Sequence, residues 1–259
     1  MSGPLLEVEG LSVRFGADAP KAVDGVSFAV SRGEKVAIVG ESGSGKSVTM
    51  LAVLRLLHRP PAIVEAERLR WKGGEILSMP PARLRALRGG EISMVFQEPM
   101  TALSPLHRVG AQLVEAGMLH GQGKGEAEAR AAELLRATGL PRDKWTAYPH
   151  ELSGGMRQRV MIGIALMARP QLVIADEPTT ALDVTVQAQI FELLGRVAGE
   201  GTAMVLVTHD MALAYQAAER VLVMNAGKIV EAGPAEEVFR HPRHPCTRRL
   251  LASVPRLDG

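Results

Sequence analysis

Three short stretches carry residue types that could do phosphate chemistry. The first, "GESGSGKS" at residues 40 to 47, sits between the apolar "KVAIV" and the helix-like "VTMLAVLRLL". Gly40, Gly43 and Gly45 can adopt backbone angles that other residues avoid, so successive amides can turn inward on an anion, with Glu41, Ser42 and Ser44 completing the loop. A helix beginning here adds partial positive charge, Lys46 can reach terminal phosphates, and the Ser47 hydroxyl can bind Mg2+. A flexible glycine loop is the weaker reading, because the Lys-Ser pair and both flanking elements agree on a nucleotide cradle. The second stretch, "LVIADEP", ends an apolar run with two acids. Asp176 could hold Mg2+ through water and Glu177 could orient or deprotonate an attacking water. Alone they could merely cap the turn at Pro178; beside a phosphate cradle they point to hydrolysis. His209, closing "MVLVTH", could contact a γ-phosphate, although a lone histidine at a strand end is more often a polar terminus. The third stretch, "ELSGGMRQR" at 151 to 159, puts Ser153 and two glycines, Gly154 and Gly155, before an amphipathic run. That pattern predicts a helix N-terminus with uncovered amides, a second anion-facing surface in the same chain.

The elements that must position these residues can be read from periodicity. Leu11, Val13 and Phe15 alternate with polar residues, as do Val26, Phe28 and Val30, which predicts a small antiparallel β layer at the start. From "KVAIVG" onward the apolar runs become continuous and alternate with helical segments: "VAIV" then 47 to 58, "LVIAD" then 182 to 198, "MVLVTHD" then 211 to 219, and last "RVLVM". Strands apolar on both faces and separated by helices predict a parallel sheet covered on both sides. Between about 98 and 165 there is no strand signal, and "GEAEARAAELLRATGL" has helical periodicity with a glycine near its end, so this section reads as an inserted helical subdomain. The last stretch, with three prolines and five arginines in "RHPRHPCTRRLLASVPRLDG", reads as an appended arm.

Composition narrows the partners. The 259 residues are 46% hydrophobic, with mean hydropathy +0.08, enough to bury a sizeable core. Thirty Lys and Arg against 28 Asp and Glu leave +2, too small a bias to argue for nucleic acid. The single cysteine, Cys246, excludes an internal disulfide framework and fits a reducing compartment, while "MSGPLLEVEG" lacks the regions of a secretory signal. The longest apolar stretch, "VMIGIALMA", is roughly half of the ~20 residues needed to cross a bilayer, so a membrane link would run through a partner.

Taken together and in order, "GESGSGKS", "FQEP", "LSGGMRQR", "LVIADEP", "TALD" and "VTHD" resemble the nucleotide-binding subunit of an ATP-binding cassette transporter, over about residues 5 to 235. The resemblance implies an α/β fold: a P-loop NTPase parallel-sheet core, an N-terminal antiparallel β subdomain and a helical subdomain at about 98 to 165, with residues 236 to 259 as a Pro/Arg-rich arm. It also implies two subunits packed head to tail, each ATP lying between one phosphate loop and the other subunit's signature sequence. Matched by motif, Phe15 resembles the aromatic that stacks on adenine, although it shares a strand face with Leu11 and Val13 and the family more often has tyrosine there. Gly40 to Ser47 resembles the phosphate loop, with Lys46 as its lysine. Gln97 resembles the residue that senses Mg2+ and the attacking water, and Ser47 and Asp176 the other metal-site residues. Ser153, Gly154 and Gly155 resemble the trans signature, Asp183 the dimer-contact aspartate, Glu177 the catalytic base and His209 the switch histidine. Met156 stands where many members have glutamine.

The flanking sequences "MVFQEPMTALSPLHRVGAQL", "YPHELSGGMRQRVMIGIALM" and "ADEPTTALDVTVQAQI" are similar to ATPases of dipeptide, oligopeptide and nickel importers, as is "HPCTRRLLASVP". That branch implies ATP and Mg2+, a second cassette ATPase, transmembrane permease subunits, an external solute-binding protein and a place on the cytoplasmic face of the inner membrane. The stretch from Met100 to Val109 could bind a permease coupling helix through Leu103 and Leu106, or those leucines could belong to the subdomain core. His241, His244 and Cys246 are a weak metal pattern in a proline-rich arm. The competing class is a soluble cassette ATPase acting as a clamp in DNA repair or translation; the large insertions and fused cassettes of those branches are missing from this sequence.

Overall fold

The computed structural model describes residues 3–96, 103–177, 194–195 and 201–252. The chain divides into two compact units, residues 1–84 with 203–259 and residues 85–202.

The first unit holds two sheets. β1 (Leu6–Phe15) pairs antiparallel with β2 (Lys21–Val30), β4 (Ala62–Glu65) and β5 (Arg68–Trp71), and β5 pairs with β6 (Gly74–Glu75). The alternation read from sequence is a buried stripe: Leu6, Val8, Leu11 and Val13 on β1 meet Val23, Val26, Phe28 and Val30 on β2. In the other sheet β3 (Lys35–Val39) lies between β9 (Ala203–Thr208) and β10 (Arg220–Asn225), parallel to both, and β11 (Lys228–Pro234) is an antiparallel edge on β10. Every residue of β9 is buried, as are Val36 to Val39 of β3, which is why these segments read as unbroken apolar runs.

Helix α1 (Lys46–Val53) is shorter than the periodicity over 47 to 58 predicts. Leu56 N donates to Leu51 O at 2.8 Å and Arg55 N to Ala52 O at 2.9 Å, with Arg55 at φ 53°. This is a Schellman-type stop. It is unusual in using arginine where glycine is favoured, and the Arg55 side chain is held by the carbonyls of Ile76 and Met79. The boundary between the units falls within α2 (Pro81–Leu87).

The second unit contains β7 (Ile92–Val95) parallel to β8 (Leu172–Asp176), with α3 (Val109–Leu119), α4 (Lys124–Ala137) and α5 (Gly154–Leu166) between them in sequence. Helix α4 ends at Thr138–Gly139, where Leu140 N donates to Leu135 O at 2.9 Å and Gly139 sits at φ 72°, the glycine stop read from sequence. Helix α5 buries residues around much of its circumference, Val160, Met161, Ile162, Ala165 and Leu166 among them, so it is the unit's central helix. The expected helix at 182 to 198 lies outside the described residues apart from 194–195.

Back in the first unit, α6 (Met211–Ala217) follows β9, and the arm folds into α7 (Ala235–Arg240) and α8 (Pro245–Ala252). Glu231 on β11 holds the arm by accepting from Arg243 N at 2.8 Å, His244 N at 3.0 Å and the Thr247 hydroxyl. Burial alone would raise the Glu231 carboxyl, but those three donors outweigh it and leave it below the ordinary carboxylate value. Cys246, in α8, is buried. Among the described residues no three His, Cys, Asp or Glu side chains gather as a metal site would need.

Candidate functional site

The phosphate loop springs from the end of β3, and the register of that strand decides what stands beside it. Val39 is paired with Thr208 of β9 and with Val223 of β10. The loop at Gly40 and the residue after Thr208, His209, therefore leave the same edge of the sheet, at the carboxyl ends of parallel strands where open α/β sheets bind ligands.

Inside the loop the glycines divide by role. A Cβ at Gly40 would stand 2.2 Å from Met224 O, and one at Gly45, where φ is 101°, would stand 2.5 Å from Ala22 O. Those two are required because neighbouring backbone presses against them. Gly43, at φ 77°, has nothing among the described residues within 4 Å of the Cβ position, so the loop is open on that side. Lys46 is only 4% exposed. Its ammonium donates to Gly40 O at 2.8 Å and Glu41 O at 2.9 Å, which folds it back over the loop. Ser44 is also buried, and its hydroxyl has no hydrogen-bond partner among the described residues. A buried hydroxyl left unsatisfied beside a lysine and a helix N-terminus fits an anion, whose oxygens would supply the missing partner. Thr49 braces the first turn by donating from Oγ1 to Gly45 O at 2.8 Å, and Ser47 occupies the second position of α1.

Two neighbours to which the sequence reading gives no role hold the backbone on either side of His209. Thr208 Oγ1 accepts from Asp210 N at 2.9 Å, and Asp210 caps α6 by accepting from Leu213 N at 3.0 Å. His209 is held exposed between them. The Asp three residues before Leu213, ahead of an apolar run, is an N-cap signal that could have been read. Phe15 ends β1 at 43% exposure although Leu11 and Val13 on the same strand are buried. Beyond Arg14, the last residue paired with β2, the strand partner among the described residues is β4, through Ala62. Phe15 therefore leaves the core stripe and presents its ring to solvent, available to stack on a base.

The second unit by itself holds Asp176, Glu177 and the 153 to 155 segment. β8 is buried along its whole length and ends at Asp176, itself 6% exposed, so a carboxylate is carried to the strand end on an apolar rod. Glu177 follows at φ 40°, a left-handed backbone that costs a non-glycine residue of order 1–3 kcal/mol and is found at functional turns. Val95 pairs with Ala175, which sets the end of β7 beside the end of β8. Gln97 and Asp183 lie outside the described residues. Ser153 is the N-cap of α5, its Oγ accepting from Met156 N at 3.3 Å. It is exposed, as is Gly154, which has nothing among the described residues within 4 Å of its Cβ position. The first turn of α5 thus starts at the solvent, a helix N-terminus at the place the sequence predicts one.

Leu103 and Leu106 separate: Leu103 is buried and Leu106 is 81% exposed. Near Leu106 in sequence, α3 walls a groove of about 590 Å3 lined by Arg108, Val114, Met118, Leu119, Trp145 and Thr146 among others. Among the described residues no helix is long and apolar enough to cross a membrane.

Comparison with known proteins matches residues 23–180 to the family model described as ABC transporter. The chain is 52% identical, over 98% of its length, to the peptidoglycan transport ATP-binding protein YejF of Agrobacterium fabrum, of which it spans 47%. It is 49% identical over 97% of its length to the dipeptide transport ATP-binding protein DppD of Escherichia coli, of which it spans 78%. Among solved structures it superposes on the dimeric ATP-binding cassette MJ0796 in a post-hydrolysis state bound to ADP and Pi. That match has a TM-score of 0.78 and 28% identity, and covers 89% of this chain and 98% of that one. It also superposes on cbiO1 of Clostridium perfringens, part of the ABC transporter complex cbiONQ, with a TM-score of 0.79, 27% identity and coverage of 92% and 91%. An α/β P-loop fold with an antiparallel N-terminal sheet, the phosphate loop and the acid-tipped strand thus agree with sequence kinship over most of the chain, and the chain belongs to the ABC transporter family as one of its ATPase cassettes.

Proposed function

We propose that this chain is the ATP-hydrolysing subunit of a membrane importer for di- or oligopeptides, or nickel, working on the cytoplasmic face of the inner membrane. The observation that supports the mechanism is a loop with an unsatisfied buried hydroxyl at Ser44 and, in the same chain, an exposed capped helix start at Ser153, which we read as two anion-facing surfaces. A single nucleotide needs only one cradle. Two copies, or this chain and a homologous ATPase, set head to tail would give each ATP a phosphate loop from one subunit and Ser153, Gly154 and Gly155 from the other.

In that arrangement Phe15 stacks on the adenine, the amides of residues 40 to 47 surround the phosphates, and Lys46 turns from the Gly40 and Glu41 carbonyls to the β- and γ-phosphates. Ser47, Asp176 and Gln97 would hold Mg2+, a hard cation suited to hydroxyl, carboxylate and amide oxygens; when bound it offsets phosphate charge. Glu177 accepts the proton of the attacking water, and His209, held by Thr208 and Asp210, donates to the γ-phosphate. Residues 5 to 235 form the cassette, and 236 to 259 the arm that Glu231 fastens. The groove beside α3, with Met118, Leu119 and the exposed Leu106 near it, suits an apolar segment of a permease subunit, and the relatives named for peptide transport favour a peptide system over a soluble clamp.

Co-purification tests this directly. A tagged chain expressed in its own host and extracted from detergent-solubilised membranes should bring down transmembrane subunits and a second cassette. Recovery in the soluble fraction with nucleic acid or ribosomes, and without membrane proteins, would replace the importer by the clamp.

A further inference from the structure

Residues 145 to 148 form a strap tied to the first turn of α3 at four successive places. Gly110 lies so close under Trp145 that a Cβ there would stand 2.4 Å from the indole. Arg108 Nη1 donates to Thr146 O at 2.7 Å, Val109 N donates to Ala147 O at 2.9 Å, and the Arg108 guanidinium lies 5.1 Å from the centre of the Tyr148 ring. The next three residues close a tight turn: Tyr148 N donates to the Glu151 carboxylate at 2.7 Å and Glu151 N returns to Tyr148 O at 3.0 Å. Leu152 N then donates to Pro149 O at 3.2 Å, and the following residue is Ser153, the cap of α5. Arg108, Gly110, Trp145 and Thr146 are also walls of the groove.

We propose that Arg108, Tyr148 and Glu151 are positioning residues for Ser153. The backbone leaves the turn with no further residue between Leu152 and the cap, so the place where α5 begins is decided by the Glu151 bond and by the ring that anchors Tyr148. A guanidinium over an aromatic ring and a charge-assisted bond to a backbone amide are both directional, so they fix orientation as well as distance. The same strap that walls the groove therefore sets the signature serine. This rests on the ATPase reading for its consequence, a permease segment in the groove bearing on a partner-facing catalytic surface, but the positioning stands on the geometry alone.

The test uses the full chain with Tyr148→Leu, Glu151→Ala and Glu151→Gln. Hydrogen exchange at the hydrogen-bonded amides of residues 156 to 158 should accelerate about fivefold in Tyr148→Leu and Glu151→Ala, equivalent to the ~1 kcal/mol of a lost cap. Glu151→Gln keeps an acceptor for Tyr148 N and should restore wild-type exchange. Amides of α1 should not change. ATP hydrolysis by the first two variants should lose kcat severalfold with the affinity of the phosphate loop for ATP unaltered, and Glu151→Gln should recover it. Unchanged exchange at 156 to 158 in Glu151→Ala, equal acceleration in α1, or failure of Glu151→Gln to rescue would each overturn the proposal. If the wild-type chain itself hydrolyses no ATP, the ATPase reading falls, and the exchange data still decide the positioning.

Discussion

Replacing Gly43 and Gly45 separately by alanine distinguishes a glycine that makes room for the ligand from one that makes room for the protein. Both sit at positive φ, 77° and 101°, so each alanine carries the left-handed penalty of about 1–2 kcal/mol. Only Gly45→Ala adds a collision, its Cβ 2.5 Å from Ala22 O. The opposing atom is backbone within β2, so relief requires moving a strand, and overpacking of this kind costs about 1–3 kcal/mol. At roughly 2–4 °C per kcal/mol for a chain of this size, Gly45→Ala should melt about 2–12 °C below Gly43→Ala without nucleotide. Added ATP separates the two variants a second time. At ~100 times Kd, ATP should stabilise the wild type by about 2.7 kcal/mol, about 5–11 °C. Gly43→Ala, with its methyl in the open side of the cradle, should lose most of that rise. Thermal unfolding followed by dye fluorescence, with and without ATP, gives both numbers. Equal melting of the two variants would refute the packing argument, and a full ATP-induced rise in Gly43→Ala would refute the assignment of Gly43 to the ligand-facing side.

Lys46→Ala removes the cation folded over the loop and should lower ATP turnover on the order of 10²- to 10³-fold, as loss of one transition-state stabiliser does; steady-state phosphate release checks it. Glu177→Gln keeps shape and removes the proton acceptor, so binding should persist while hydrolysis stops. An ATP-dependent dimer of that variant, with itself or a partner ATPase, should be visible by light scattering and disappear when Ser153→Arg is added; wild-type hydrolysis by Glu177→Gln would remove Glu177 from the base role. The depressed Glu231 carboxyl gives the arm a pH dependence: the stability it contributes is present above the unfolded carboxylate value and is lost as pH falls through the lower folded value. Limited proteolysis at Arg248 and Arg249 should therefore accelerate in acid, and Glu231→Gln should show faster cleavage already at neutral pH; identical cleavage of both proteins at both pH values would contradict the latch.

What could be read in the sequence, and what could not, follows from how far apart the interacting residues lie. Ser153 caps Met156 and Asp210 caps Leu213 three residues away, so both are local decisions, and a pattern search sees them. Gly45 before Lys46 and the apolar run before Asp176 are local in the same sense. Strand alternation predicted the stripe of Leu11 and Val13 but put Phe15 on it too, because periodicity reports a face and is silent on where neighbouring strands stop covering it. Leu103 and Leu106 look alike as apolar residues in one loop, yet one is buried and the other open. Helix α1 ends at Val53 through a left-handed arginine whose stabilising carbonyls, at Ile76 and Met79, are more than twenty residues on.

The supports of the site are the least legible part, for the same reason. Arg108 reaches the Thr146 carbonyl across 38 residues. The next residue of the strap, Ala147, serves Val109 through its own carbonyl, an atom that every residue carries and no side-chain pattern reveals. Glu231 reaches Thr247 across 16 residues. No spacing rule names such partners; the fold brings them together. Residues that touch phosphate can be recognised because backbone geometry confines them to strand ends and helix starts, where neighbouring residues settle the conformation. Residues that hold those ends in place are under no such restriction and can come from any element that packs nearby. Patterns such as "GESGSGKS" and "LSGG" are therefore recognisable by themselves, while the partners that hold the strap at 145 to 148 or the latch at Glu231 are named only by the fold. The variants most informative about mechanism are accordingly those at the supports, where a change in position can be separated from the loss of a reacting group.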